Sequence, residues 1–60
     1  MPKLRWNKYG NEWVLLDVYD SVLATVEHRD GGWYFEGKYF SALKYAKNNV
    51  IFTLVRRGEL

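Results

Sequence analysis

The sequence predicts a small α+β domain: an antiparallel sheet of four strands, with a fifth at the C-terminus as one reading, and one helix packed on one face. Three observations predict it. Apolar and polar residues alternate through most of residues 4–36, the period of half-buried strands. That stretch is broken at Gly10-Asn11, Asp20-Ser21 and Asp30-Gly31-Gly32, whose residues suit tight turns. After Ser41 the pattern changes, and Ala42, Leu43, Ala46 and Val50 recur at helical spacing.

Taken in order, Leu4 and Trp6 share one face of a first strand, with Arg5 and Asn7 on the other. Gly10-Asn11 turns the chain into a second strand, Glu12 to Tyr19. Val14, Leu16 and Val18 make its continuous apolar face, which is assigned to the core. Trp13, Leu15, Asp17 and Tyr19 are then outward. Beyond Asp20-Ser21, a third strand runs from Ser21 to His28, with Val22, Ala24 and Val26 alternating against Leu23, Thr25 and Glu27. Asp30-Gly31-Gly32 closes a hairpin into Trp33-Tyr34-Phe35-Glu36, and Gly37 marks the end of that strand or a bulge.

Ser41 is placed as an N-cap, its hydroxyl available to amides one turn on, for a helix from Ala42 to about Asn48. Two readings stand for residues 50–57. The β-branched and aromatic run Val50-Ile51-Phe52-Thr53-Leu54-Val55 fits a final strand. A helix continuing to Arg57 keeps Leu43, Ala46, Val50 and Leu54 on one stripe and puts Gly58 at the C′ position. The expected core is Leu4, Trp6, Val14, Leu16, Val18, Ala24, Val26, Trp33, Phe35, Leu43, Ala46, Val50, Phe52 and Leu54.

Sixty residues make a single domain, 1–60, near the lower limit of folding without covalent or metal staples. With no cysteine, neither disulfides nor a cysteine-based zinc site can help. Three Trp, five Tyr and three Phe supply the burial instead, which argues against disorder. The longest apolar run, Val50 to Val55, falls far short of the roughly 20 residues that a membrane span needs. With no signal-like run at the N-terminus, the expectation is a soluble cytoplasmic protein. The net charge of +2 is unevenly spread. Acids concentrate in residues 12–36, whereas residues 1–11 and 37–58 carry only bases.

No cluster specifies a reaction. The single histidine, His28, stands in H-R-D without the further motifs of a kinase, and reads as a strand-end residue entering a turn. One histidine with scattered carboxylates does not give four metal ligands. Ser21 and Ser41 have turn and cap roles and no nucleophile-elbow pattern around them. Asp17 and Glu27 could face each other across neighbouring strands, but a small sheet has no deep cleft in which to raise a carboxyl pKa. No phosphate-cradling glycine motif occurs. The expectation is a protein that is not an enzyme and needs no metal or cofactor.

Binding is the better reading. The outward set contains Trp13, Leu15, Tyr19, Leu23 and Tyr34 beside Asp17, Thr25 and Glu27, large anchors among polar groups. Either this patch binds a protein, a second copy or a partner with a basic surface, or a curl of the sheet or the tail covers it. Lys44, Lys47, Arg56 and Arg57 are the candidate nucleic-acid contacts, against the reading of a solvated charged face.

Two resemblances follow from these segments. Gly37-Lys38-Tyr39-Phe40-Ser41 followed by Tyr45-Ala46, with Gly10…Trp13, resembles the AP2-type and integrase arm-binding domains. That likeness implies a three-stranded sheet plus helix that reads DNA through sheet arginines; here the central sheet offers only Arg29. Trp13-Val14, Ala24-Thr25-Val26, Gly31-Gly32-Trp33 and Phe40 to Lys47 are similar to small orphan proteins of tailed phages and prophages. This second likeness implies a phage accessory protein that binds a host or phage protein in the host cytoplasm.

Overall fold

The computed structural model describes residues 3–60. They form β1 (Arg5–Tyr9), β2 (Glu12–Leu16), β3 (Val22–Arg29), β4 (Gly32–Phe35), β5 (Lys38–Phe40) and α1 (Leu43–Arg56). The five strands lie in chain order in one antiparallel sheet, and α1 crosses one face over β3, β4 and β5. The expected α+β architecture is present. Its fifth strand is Lys38–Phe40, not the C-terminal segment.

The hairpin loops decide which residues face the helix. Gly10-Asn11, Asp30-Gly31 and Glu36-Gly37 are two-residue loops, each placing even-numbered residues of one strand opposite odd-numbered residues of the next. Trp6 therefore pairs with Leu15 and Lys8 with Trp13; across β3, Trp13 meets Val26 and Leu15 meets Ala24. Opposed residues share a face, so Trp6, Trp13, Leu15, Ala24 and Val26 all turn toward α1. Trp33 and Phe35 join them from β4, and Phe40 from β5. The fully buried centre is Leu15, Val26, Ala46, Val50 and Leu54, with Ala24 and Phe35 around it.

The expected face of β2 is thus inverted. Leu15 is core, while Val14 and Leu16 lie on the opposite face, buried there between Asn7 and Thr25 and between Arg5 and Val22. Leu4, Trp6, Ala24, Val26, Trp33 and Phe35 do pack as expected. Strand β2 also ends earlier than expected. The Asp17 Oδ1 accepts from the amides of Tyr19 (2.8 Å) and Ser21 (2.9 Å), and the Asp20 N–H donates to the Asp17 carbonyl. This side-chain-nucleated turn replaces both the ladder and the expected two-residue turn at Asp20-Ser21. Val18, assigned to the core, is consequently 53% exposed. Beyond the turn, the ladder skips a residue. Leu16 faces Val22, and Leu23 is left half-buried against the core.

Residues 50–55 are helical, which corrects the strand reading. Val50 and Leu54 complete a stripe with Ala46 that is almost wholly buried, and this burial outweighs the strand preference of Val50, Ile51, Thr53 and Val55. Phe52, expected in the core, falls on the opposite side and is 58% exposed. Gly58 (φ 75°) ends the helix: its N–H donates to the Val55 carbonyl and that of Glu59 to the Leu54 carbonyl, the Schellman pairing. At the other end the N-cap is Ala42, not Ser41, and no side chain caps the first turn. No helix of the described residues is long and apolar enough to cross a membrane.

Candidate functional site

The sheet face away from α1 is open, and its register builds one row across all five strands: Tyr9, Glu12, Glu27, Tyr34 and Tyr39. At about 4.8 Å per strand the row spans roughly 19 Å. Tyr39 is 52% exposed and Tyr9 56%. The Tyr39 ring meets the Tyr34 ring edge-on, with centroids 5.4 Å apart. The Arg29 guanidinium lies over Tyr34 at 4.4 Å, so one end of the row is a stacked aromatic and cationic cluster.

Gly32 makes this cluster fit. It is buried beneath Tyr39, and a Cβ there would overlap the ring. The adjoining turn is type I′ in its angles, with Asp30 at φ 51° and Gly31 at φ 76°.

Glu12 and Glu27 sit directly opposite each other in the middle of the row. Like charges in directly opposed positions are destabilising, a cost that folding alone gives no reason to keep. Arg29 Nε stands 3.3 Å from the Glu27 carboxylate. The other cation of this face, Arg5, pairs with Asp20 at the next turn. Among the described residues Glu12 forms no ion pair, so the centre of the row presents a carboxylate to solvent.

Of the expected binding residues, Tyr34 lies in this row. Trp13 and Leu15 do not: they face the helix, Leu15 fully buried and Trp13 beneath the Lys47 ammonium at 4.3 Å. Leu23 is half-buried on the core, and Tyr19 is 85% exposed but in the Asp17–Ser21 turn, off the sheet. Tyr9, Glu12 and Tyr39 were missed. The signal that identifies them is the parity of the two-residue loops, which puts the odd-numbered Tyr9 and Tyr39 opposite Glu12 and Tyr34.

The basic residues divide into two groups. Lys44 lies over Tyr45 (5.3 Å), and Lys47 over both Trp6 (5.3 Å) and Trp13, so it is half-buried rather than solvated. At the other end of α1, Arg57 donates two hydrogen bonds to the Glu36 carboxylate, at 2.6 and 2.9 Å. These hydrogen bonds, opposed by desolvation and helped by the guanidinium charge, hold the Glu36 carboxyl below the usual carboxylate range; Arg57 is raised in return.

His28 is exposed and stacks on Trp33, ring centroids 4.5 Å apart. Asp17 is held by the amides of its own turn while Glu27 stands on the open face, so the two carboxylates share no site. Among the described residues no three His, Cys, Asp or Glu side chains converge as a metal site would require. Comparison with protein-family models, with curated proteins and with solved structures finds no match for this chain.

Proposed function

We propose that this chain is a non-enzymatic interaction module that binds a protein with a basic surface on its open sheet face. The observation that carries this reading is the row Tyr9–Glu12–Glu27–Tyr34–Tyr39. Tyrosines combine a large apolar area with a polar tip and few rotatable bonds, which makes them good anchors. The opposed Glu12 and Glu27 lose their mutual repulsion when a lysine or arginine of the partner comes between them. The same pair disfavours face-to-face pairing of two copies, which would bring four carboxylates together, so the partner is a different protein. The likeness to phage accessory proteins supplies a setting, a host or phage protein in the host cytoplasm.

The second reading, DNA binding of the AP2 or integrase arm-binding type, has less support. Of the helix and tail bases it would use, Lys44, Lys47, Arg56 and Arg57, Lys47 is half-buried over Trp6 and Trp13 and Arg57 is held by Glu36, and both sheet arginines are engaged by Asp20 and Glu27. Affinity capture from host lysate, with and without nuclease, separates the two. The protein reading expects one partner retained under both conditions and lost with the Tyr34→Ala/Tyr39→Ala double variant, while circular dichroism shows the fold intact. Nuclease-sensitive capture that survives the double variant would replace it with the DNA reading. His28→Ala should leave capture unchanged.

A further inference from the structure

A concave surface lies away from the sheet row, where the β4–β5 turn meets the C-terminal half of α1. It is a groove of about 510 Å³ with Phe35 at its floor and Phe52 on its wall. Lys38, Arg56 and Arg57 line it against the single carboxylate of Glu36, leaving a net charge of +2 from three cations and one anion. The Glu36–Arg57 pair fixes the guanidinium plane through two of its five N–H groups and leaves the others to donate. Asn49 and Thr53 also line the groove. The Thr53 hydroxyl donates to the Asn49 Oδ1 (3.4 Å), which leaves the Asn49 NH₂ as a further donor.

We propose that this groove binds a small phosphate monoester carried on a planar ring. A dianionic phosphate matches the excess of two positive charges, and guanidinium, ammonium and amide donors are the groups that chelate its oxygens. The ring is specified by Phe52. This large apolar side chain stays mostly in solvent, at the wall of a cationic groove and beside the Arg56 guanidinium (5.5 Å), where a planar group can stack. Glu36 holds a left-handed backbone (φ 51°) in a two-residue turn where asparagine or glycine is the unstrained choice. A glutamate at that position reaches Arg57 and so anchors one wall of the groove to the other. The sheet row uses none of Lys38, Phe52 and Arg56, and only Lys38 touches the core, its ammonium over the Phe40 ring at 5.7 Å.

The test is titration of the intact protein, followed by amide chemical shifts, with phenyl phosphate and adenosine 5′-monophosphate as the two ring-bearing probes and inorganic phosphate and benzyl alcohol as controls. The proposal expects saturable shifts at Gly37, Asn49 and Thr53 with at least one ring-bearing phosphate. Inorganic phosphate should bind at least tenfold more weakly, and benzyl alcohol should not bind. Arg56→Ala and Lys38→Ala should each weaken the ring-bearing probe about tenfold or more. Lys44→Ala, in the first turn of α1 and outside the groove, should not. Phe52→Ala should erase the advantage over inorganic phosphate. All four side chains are exposed, so these variants keep the fold. Equal affinity for inorganic phosphate, or binding that is the same in Arg56→Ala and Lys44→Ala, would overturn the proposal, as would shifts no larger than those of chloride at matched ionic strength.

Discussion

Leu15 and Leu16 are neighbours of identical chemistry on opposite faces of β2, and both are buried. Only Leu15 belongs to the cluster that joins the sheet to the helix. Leu15→Ala should cost about 2–5 kcal/mol, a large part of the stability of a domain this small, and Leu16→Ala should cost less. Urea unfolding of the two variants checks the order, and the reverse order would return β2 to the face expected from its sequence, with Leu16 in the core. Glu36 gives a second prediction at this scale, through its depressed pKa. A carboxylate with a lower pKa folded than unfolded stabilises the fold at neutral pH, and the contribution is lost as pH falls. The loss begins in the ordinary glutamate range, at about 4.3, and is complete below the folded-state value. Wild type should therefore exceed Glu36→Gln in stability at pH 7, and the gap should close on acidification. A gap that widens toward acid would contradict the pairing with Arg57.

The helix is the element in which local preference and tertiary packing disagree. Its second half is rich in β-branched residues, and its N-terminus has neither a capping side chain nor an acid in the first turn. Burial of Ala46, Val50 and Leu54 holds it in place. The N-terminus is accordingly the place to gain stability. Ala42 already has the extended backbone of an N-cap (φ −141°, ψ 147°), so Ala42→Asp should raise stability by about 1 kcal/mol. Ser41→Ala should change it by less than about 0.5 kcal/mol. Thermal melts of the two variants distinguish the caps; a larger loss from Ser41→Ala would restore Ser41 to that role. The stripe Leu43, Ala46, Val50 and Leu54 and the C′ Gly58 were both legible in the sequence, and together they specify the longer helix. What single-residue propensity could not weigh was the depth to which Val50 and Leu54 are buried.

For the molecule as a whole, the strand order and most of the core followed from alternation and turn chemistry. Two of the errors have local causes. Asp17 captures two amides and stops β2 early, and Lys38-Tyr39-Phe40 is too short a strand to show a period. An outward face of aromatics beside acids was legible in kind, but Trp13, Leu15 and Leu23 were placed on it because Val14, Leu16 and Val18 looked like the more continuous apolar set. Carrying pairing parity through Gly10-Asn11 selects Leu15 and exposes the row of Tyr9, Glu12, Glu27, Tyr34 and Tyr39. That row is also where folding and the proposed binding make opposite demands. Glu12→Lys would set a lysine against Glu27, turning a repulsive cross-strand pair into an attractive one worth about 0.2–1 kcal/mol. It would also present a cation to a partner selected for its basic surface. Measuring unfolding free energy and partner capture on this one variant tests the account most directly. Stability should be equal or higher while capture is lost; a Glu12→Lys protein that captures the partner as well as wild type would contradict it.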